Sequence, residues 1–116
     1  MKTIALALGL LLATAALADS ISTSRFSEVV GWTVLGVTQA KGEFNGADFG
    51  KLIGLDNGAI FEFEEYGYSY AYRPDVVIFA RRMSLGATSV IAYKLLIDGG
   101  FYDARLVAPG ALGLIK

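Results

Sequence analysis

Apolar and polar residues alternate with a period of two along much of the chain from Val29 onward, and glycines separate the alternating stretches. Successive side chains of an extended chain point to opposite faces, so this pattern predicts β-strands; few segments show a helical period. The predicted strands cover residues 29–38, 51–55, 60–66, 76–80, 89–97 and 101–107. Residues 76–80 are continuously apolar, which predicts a strand covered on both faces, and residues 81–88 are predicted to form a connection.

The alternation also assigns side chains to faces. One face of the first strand is predicted to hold Trp32, Val34 and Gly36, and the opposite face Thr33, Leu35 and Val37. In the strand at 60–66, Phe61 and Phe63 share one face, and the other face holds Ile60, Glu62 and Glu64. Core positions are predicted for Trp32 and for two phenylalanines of the loop 39–50, Phe44 and Phe49.

Two short segments predict hairpin turns. Asn57-Gly58 lies between two apolar runs, and a type I′ turn favours Asn-Gly because both central residues need positive φ. Residues 98–100, Asp-Gly-Gly, predict a second hairpin. The predicted fold is all-β: a small, strongly bent antiparallel sheet or partly open barrel of about six strands and SH3-like size, which hides its edges by curling. The alternative is a helix packed on an open sheet, with residues 24–30 as the candidate helix.

Tyrosines occupy four alternate positions of the next segment, with only small residues between them: Tyr66, Tyr68, Tyr70 and Tyr72. In a strand, these rings would stand on one face and almost nothing on the other. Two interpretations remain open. The rings form a recognition surface, since aromatic faces stack on sugar rings or on ligand side chains. Alternatively, they are structural residues that bury the ring and leave the hydroxyl hydrated.

Arg73 ends the tyrosine segment and precedes Pro74, which favours extended geometry in the residue before it. The guanidinium is expected either to stack on Tyr72 or to pair with Asp75. The predicted binding site therefore consists of Tyr66, Tyr68, Tyr70, Tyr72 and Arg73, with Glu64 nearby.

The first eighteen residues have the three-part pattern of a secretory signal peptide. Lys2 supplies the positive start, an apolar run extends to Leu17, and Ala16-Leu17-Ala18 is a small-residue cleavage site. The apolar run is shorter than the roughly 20 residues that span a bilayer, so cleavage without a stable membrane anchor is expected. The predicted domains are residues 1–18 as signal peptide, 19–28 as an N-terminal arm with one helical turn near Phe26, 29–107 as the β domain and 108–116 as a C-terminal tail. A bacterial periplasmic or secreted location follows.

Charge and composition exclude several classes of function. Removing Lys2 from ten basic residues leaves nine against eleven acidic ones, a net charge of −2 without a basic cluster, so nucleic acid is not an expected partner. The chain has no cysteine and no histidine, which excludes a disulfide, a thiolate or histidine metal site and a Ser-His-Asp triad. No metal and no cofactor are indicated.

Carboxylates are the remaining acid–base candidates. Glu62, Glu64 and Glu65 cluster before the tyrosines, and Asp48 and Asp75 are predicted to approach them. A pair of carboxylates is the machinery of a glycoside hydrolase. Acidic side chains at alternate positions of a strand also form an ordinary hydrated face that discourages edge pairing.

The sequence favours an exported, non-enzymatic binding or interaction module whose partner is an envelope glycan, peptide or protein. One alternative is a small hydrolase that uses Glu62 or Glu64 with Asp48 or Asp75. Another is a structural envelope protein that pairs with a partner through a strand edge.

Three segments carry a resemblance: F-N-G-A-D-F at 44–49, L-D-N-G at 55–58 and Y-G-Y-S-Y-A-Y-R-P at 66–74. Over residues 29–107 the chain resembles a group of short, uncharacterised exported proteins of proteobacteria, of rhizobial type. The resemblance implies no activity or ligand. The proteins that it resembles have cysteines where this chain has Ala47 and Phe63. The resemblance therefore implies that a disulfide is missing here and that these two residues lie close in space.

Overall fold

The computed structural model describes residues 23–112, which form parts of two compact units, residues 1–30 and residues 31–116. The predicted signal peptide, residues 19–22 of the arm and residues 113–116 of the tail lie outside the described residues. The described part of the first unit is a short 3-10 helix, Thr23–Val29, which confirms the helical turn expected near Phe26. Between residues 23 and 112, no helix is long and apolar enough to cross a membrane.

The second unit consists of strands joined by short loops and turns. The strands are β1 (Thr33–Gln39), β2 (Glu43–Phe44), β3 (Leu52–Gly54), β4 (Ile60–Phe63), β5 (Ala71–Tyr72), β6 (Asp75–Leu85), β7 (Thr88–Ile97) and β8 (Gly100–Ala108). Six of them form one strongly curled antiparallel half-barrel in the order β1-β6-β7-β8-β4-β3. The short strands β2 and β5 pair with each other. The all-β prediction and the six strands of the main sheet are confirmed.

The two edge strands of the half-barrel meet at one end. Ala40, directly after β1, forms a bridge with Leu55, directly after β3. The backbone N–H of Asp56 donates to the carbonyl of Gln39 at 2.8 Å, and that of Lys41 donates to the carbonyl of Gly54 at 3.1 Å. The sheet is therefore a partly open barrel, as predicted, because these bonds join its edges at this end alone among the described residues.

The core lies inside the curl. Its largest fully buried side chains come from four different segments: Phe61, Phe63, Leu55, Ile78, Leu95, Ile97 and Val76. Phe79 and Phe101 are also buried, but on the other face of the sheet, where their ring centroids are 5.9 Å apart. The predicted covering of residues 76–80 on both faces is thus confirmed.

A bulge in β1 overturns the face assignment predicted for that strand. The register with β6 shifts between Val34 and Gly36, which leaves Leu35 as the extra residue. Leu35 packs against the core, whereas Val34 and Val37, predicted on opposite faces, are both exposed. A single extra residue reverses the alternation of the residues that follow it, and the sequence pattern contains no signal for it.

Three further predictions need correction. β6 continues to Leu85 instead of ending at Ala80, so residues 81–88 are a long hairpin with a Gly86-Ala87 turn and not a loose connection. Phe49 is 60% exposed and does not plug the core, unlike Phe44. Trp32 is half-buried and does not belong to the core cluster.

Both predicted hairpins are present, although their turn types differ from expectation. At the β3–β4 turn only Gly58 has positive φ, and the N–H of Gly58 donates to the carbonyl of Leu55. This geometry is a type I turn followed by a left-handed glycine, not type I′. The type I′ pattern occurs instead between β7 and β8, where Asp98 and Gly99 both have positive φ.

Candidate functional site

The tyrosine segment runs across the surface with little regular pairing. β4 ends at Phe63, and before β5 the segment is attached by the bridge between Ala47 and Gly67. The predicted strand at 60–66 is therefore too long at its C-terminal end. The exposed fractions nevertheless alternate as expected: the intervening residues are half-buried, and the tyrosines are exposed by 70% (Tyr66), 98% (Tyr68), 58% (Tyr70) and 67% (Tyr72). These four side chains are called the tyrosine surface below.

An aromatic triangle in the core supports this segment from below. Phe44, Phe63 and Tyr102 are mutually in contact, with ring centroids 5.5–5.8 Å apart. Gly67 lies directly on the ring of Tyr102, because a Cβ at Gly67 would be 2.3 Å from a carbon of that ring. The small residue between the first two tyrosines is thus required by packing. The backbone is held close to the core while the flanking rings remain in solvent.

A shallow groove of about 410 Å³ adjoins the first two tyrosines. It is lined by Asn45, Gly46, Ala47, Asp48, Lys51, Tyr66, Gly67 and Tyr68. The ring of Tyr66 is held edge-to-face by Phe49, with centroids 4.9 Å apart. The ammonium of Lys51 donates to the carbonyl of Gly46 at 3.1 Å, which fixes its position. This tyrosine groove combines exposed rings with an amide, a carboxylate and an ammonium group.

Tyr70 has its own polar partner. Its hydroxyl donates to the carboxylate of Glu43 across 3.3 Å. The negative charge of Glu43 raises the pKa of Tyr70 above its ordinary value, which favours the protonated hydroxyl that donates this bond. Glu43 also begins β2, opposite Tyr72 of β5. The second pair of tyrosines is therefore organised by the β2–β5 ribbon and not by the groove.

Arg73 acts as a clamp between chain segments. Its guanidinium donates to the carboxylate of Asp56 at 2.7 Å and to the carbonyl of Ala40 at 3.4 Å. The predicted ion pair of Arg73 with Asp75 is wrong, because Arg73 pairs with Asp56. Among the described residues, Arg73 does not stack on Tyr72. Arg73 has φ of 45°, not the extended geometry expected before proline, and its contacts hold this uncommon conformation in place.

Replacing Arg73 with alanine is expected to lower the free energy of unfolding by about 1 kcal/mol, because the pair with Asp56 is partly exposed and a net hydrogen bond contributes about that much. Urea unfolding of Arg73→Ala, Asp56→Ala and the double variant measures the coupling between the two residues. Equal stability of Arg73→Ala and the parent protein would show that the clamp has no stabilising effect.

The predicted carboxylates do not converge on one place. Glu62 pairs with Arg105 at 3.0 Å, and Glu65 accepts the backbone N–H of Asp103. Asp48 lines the tyrosine groove, and Asp75 lies opposite Gln39 of β1. Within residues 23–112, no group of three or more acidic, histidine or cysteine side chains is arranged to hold a metal ion.

Glu64 lies in a different groove from the tyrosines. A larger hollow of about 640 Å³ is lined by Glu64 together with Trp32 and residues of β6, β7 and β8. The six residues predicted as one site are therefore divided between the tyrosine groove, the β2–β5 ribbon, the Arg73 clamp and this second groove. Sequence reasoning missed Asn45, Phe49 and Lys51 as neighbours of Tyr66, since only the fold of loop 39–50 brings them there.

Comparisons with protein-family models, with curated proteins and with solved structures find no match to this chain. Its function is therefore inferred from the geometry of the surface itself.

Proposed function

We propose that this protein is an exported, non-enzymatic binding module that recognises an envelope glycan through the tyrosine surface. The observation that carries the proposal is the exposure of four aromatic rings on one short segment, with two of them beside a groove of polar groups. Clustered exposed apolar side chains on a small protein commonly mark an interaction site. Rigid aromatic side chains also lose little conformational entropy when they bind.

The tyrosine groove supplies the polar chemistry that a saccharide needs. Its lining includes both donors and acceptors: the Asn45 amide, the Asp48 carboxylate, the Lys51 ammonium and the tyrosine hydroxyls. A sugar ring presents an apolar face of C–H groups and a rim of hydroxyls, so it would stack on Tyr68 and hydrogen-bond to the groove. Because Asp48 and Lys51 carry opposite charges, the site favours a neutral ligand.

Replacing Tyr68 with alanine is expected to weaken binding of neutral oligosaccharides about tenfold, since an aromatic contact contributes about 0.5–1.5 kcal/mol beyond its area. The measurement is calorimetric titration of the purified protein with oligomers of glucose and of N-acetylglucosamine. Tyr68→Phe is the matched variant: it keeps the ring, and most of the affinity is expected to remain. Leu85→Ala removes an exposed apolar side chain from the distant β6–β7 turn and should leave the affinity unchanged.

Three results would contradict the proposal. One is equal affinity of the parent protein and Tyr68→Ala for a saccharide that binds. Another is binding of extended peptides, but of no saccharide, at the tyrosine groove. The third is release of shortened saccharides during the titration, which would support the hydrolase alternative instead.

A further inference from the structure

The face of the sheet opposite the core contains a second hollow, centred on Ala92. The register places Arg81 of β6 beside Ala92 of β7. Since Tyr93 pairs with Ala104, Ala92 also lies beside Arg105 of β8, which pairs in turn with Glu62 of β4. A methyl group therefore lies between two long side chains, and the space above it is a groove of about 640 Å³. This volume is in the range of small-ligand sites.

Trp32 forms one wall of this tryptophan groove. It directly precedes β1, whose first residue pairs with Ala80, so Trp32 is placed next to Arg81. The guanidinium carbon of Arg81 lies 5.3 Å from the centroid of the Trp32 ring, and the ammonium of Lys94 lies 5.5 Å from it. Such cation–π contacts hold the indole and the guanidinium in fixed relative positions. Met83 and Val90 supply an apolar border.

Most charges around the groove are compensated within the sheet. Lys94 pairs with Asp103 at 2.8 Å, and Arg105 pairs with Glu62 at 3.0 Å. Two lining charges have no ion-pair partner among residues 23–112: Arg81 and Glu64, both exposed. Glu64 lies on the β4 side, because its backbone N–H donates to the carbonyl of Asp103. The groove thus has one free positive charge at one end and one free negative charge at the other.

We propose that the tryptophan groove binds a short peptide with both termini free, with its carboxylate at Arg81 and its ammonium at Glu64. The guanidinium of Arg81, above the Trp32 ring, presents a planar set of donors that matches a carboxylate. The two ends suit a short chain, because three strand spacings of about 4.8 Å separate β6 from β4. The register aligns Arg81 with Glu62, and Glu64 is two residues further along, so about 16 Å separates the two backbone positions. The long side chains of Arg81 and Glu64 together with about three extended residues of about 3.5 Å each would cover this span. Small side chains would lie over Ala92.

The chain offers an internal reporter for this site. Trp32 is its single tryptophan, so indole fluorescence and the indole N–H resonance report on this groove and not on the tyrosine groove. Trialanine with free termini is the probe, and N-acetyl-trialanine and trialanine amide are the matched probes that lack one charge each. Saturable changes at Trp32 are expected with trialanine, and each blocked form should bind about tenfold more weakly.

Variants then assign each end of the peptide. Arg81→Gln should weaken trialanine binding about tenfold and remove the preference for a free carboxylate, whereas Glu64→Gln should remove the preference for a free ammonium. Arg82→Gln and Asp48→Asn are the matched controls. Arg82 is the next residue of β6 and faces the other side of the sheet, and Asp48 lies in the tyrosine groove.

The proposal is overturned if calorimetry and the Trp32 resonance detect no trialanine binding at millimolar concentration. It is equally overturned if the blocked peptides bind as well as trialanine, or if Arg82→Gln weakens binding as much as Arg81→Gln. Loss of trialanine binding in Tyr68→Ala alone would move the peptide to the tyrosine groove. Melting curves of all variants, expected to match the parent protein because these side chains are exposed, separate loss of binding from loss of folding.

Discussion

Replacing Phe63 with alanine is expected to lower the free energy of unfolding by about 3–5 kcal/mol, the loss typical of a large ring removed from a core. The side chain is 1% exposed and belongs to the aromatic triangle with Phe44 and Tyr102. Its removal leaves a cavity beside the rings of Phe44 and Tyr102, which both contact it. The loss is large for a small domain, whose total stability is about 5–15 kcal/mol. Urea unfolding followed by circular dichroism measures it.

Phe49→Ala is the matched control. Phe49 is 60% exposed and contacts Tyr66 edge-to-face, so its loss should cost no more than about 1 kcal/mol. Similar destabilisation by the two substitutions would show that the triangle is not the main support of this end of the barrel. Because Gly67 lies on Tyr102, Phe63→Ala is also expected to disturb the tyrosine segment, visible as shifted backbone resonances of residues 66–72.

Replacing Gly46 with alanine should lower the free energy of unfolding by about 3 kcal/mol, for two independent reasons. Gly46 has φ of 90°, a left-handed conformation that costs an L-residue roughly 1–2 kcal/mol. A Cβ at this position would also be 2.5 Å from the carbonyl oxygen of Gly67, which is backbone and has no rotamer that avoids the contact. Relief requires separation of the two segments at the Ala47–Gly67 bridge. Thermal and urea unfolding measure the loss.

Gly42→Ala tests the same change without either cause. Gly42 has no positive φ, and a Cβ there meets no atom within 4 Å, so stability should be unchanged or slightly higher. Equal stability of Gly46→Ala and Gly42→Ala would contradict the close approach between the loop at Gly46 and the tyrosine segment at Gly67. Saccharide binding should fall with Gly46→Ala if the tyrosine groove depends on this approach, which links the substitution to the proposed function.

Strand positions were predictable because apolar stretches of extended-chain character are separated by turn residues, although burial alternates regularly only in β4 and not in β6 or β7. All six predicted strands exist, although the first begins at Thr33 and not at Val29, which ends the 3-10 helix. The faces assigned to residues 60–64 hold, with Phe61 and Phe63 in the core. The face assignment failed in β1, where the sequence alternates regularly but the strand pairing contains a bulge. The bulge at Leu35 has no signal in the residues around it. The continuation of β6 beyond Ala80 was missed because Arg81 and Arg82 are polar residues, which are typical of loops. Both belong to the β6–β7 hairpin, where they are exposed.

The alternation of the candidate site was predictable, but the sequence left the exposure of its rings open and did not indicate its neighbours. The small residues between the tyrosines indicated that one side of the segment would pack closely, and Gly67 on Tyr102 is that contact. The partner of Arg73 was not predictable, since Asp56 approaches it only when the edges of the barrel meet. Trp32 and Glu64 are 32 positions apart, and only the register of five neighbouring strands brings them to one groove. The closeness expected for Ala47 and Phe63 stays a prediction, although both belong to the core cluster.

The irregular margins of the half-barrel have a consequence for behaviour in concentrated solution. Fibril growth recruits chains onto a long, flat, unpaired strand. β3 has three residues, and the extra residue in β1 breaks the even spacing of amide groups that an incoming chain would have to match. Among residues 23–112, the edges of the half-barrel therefore offer no long, flat strand as a template for self-association, and the exposed rings remain available to other molecules.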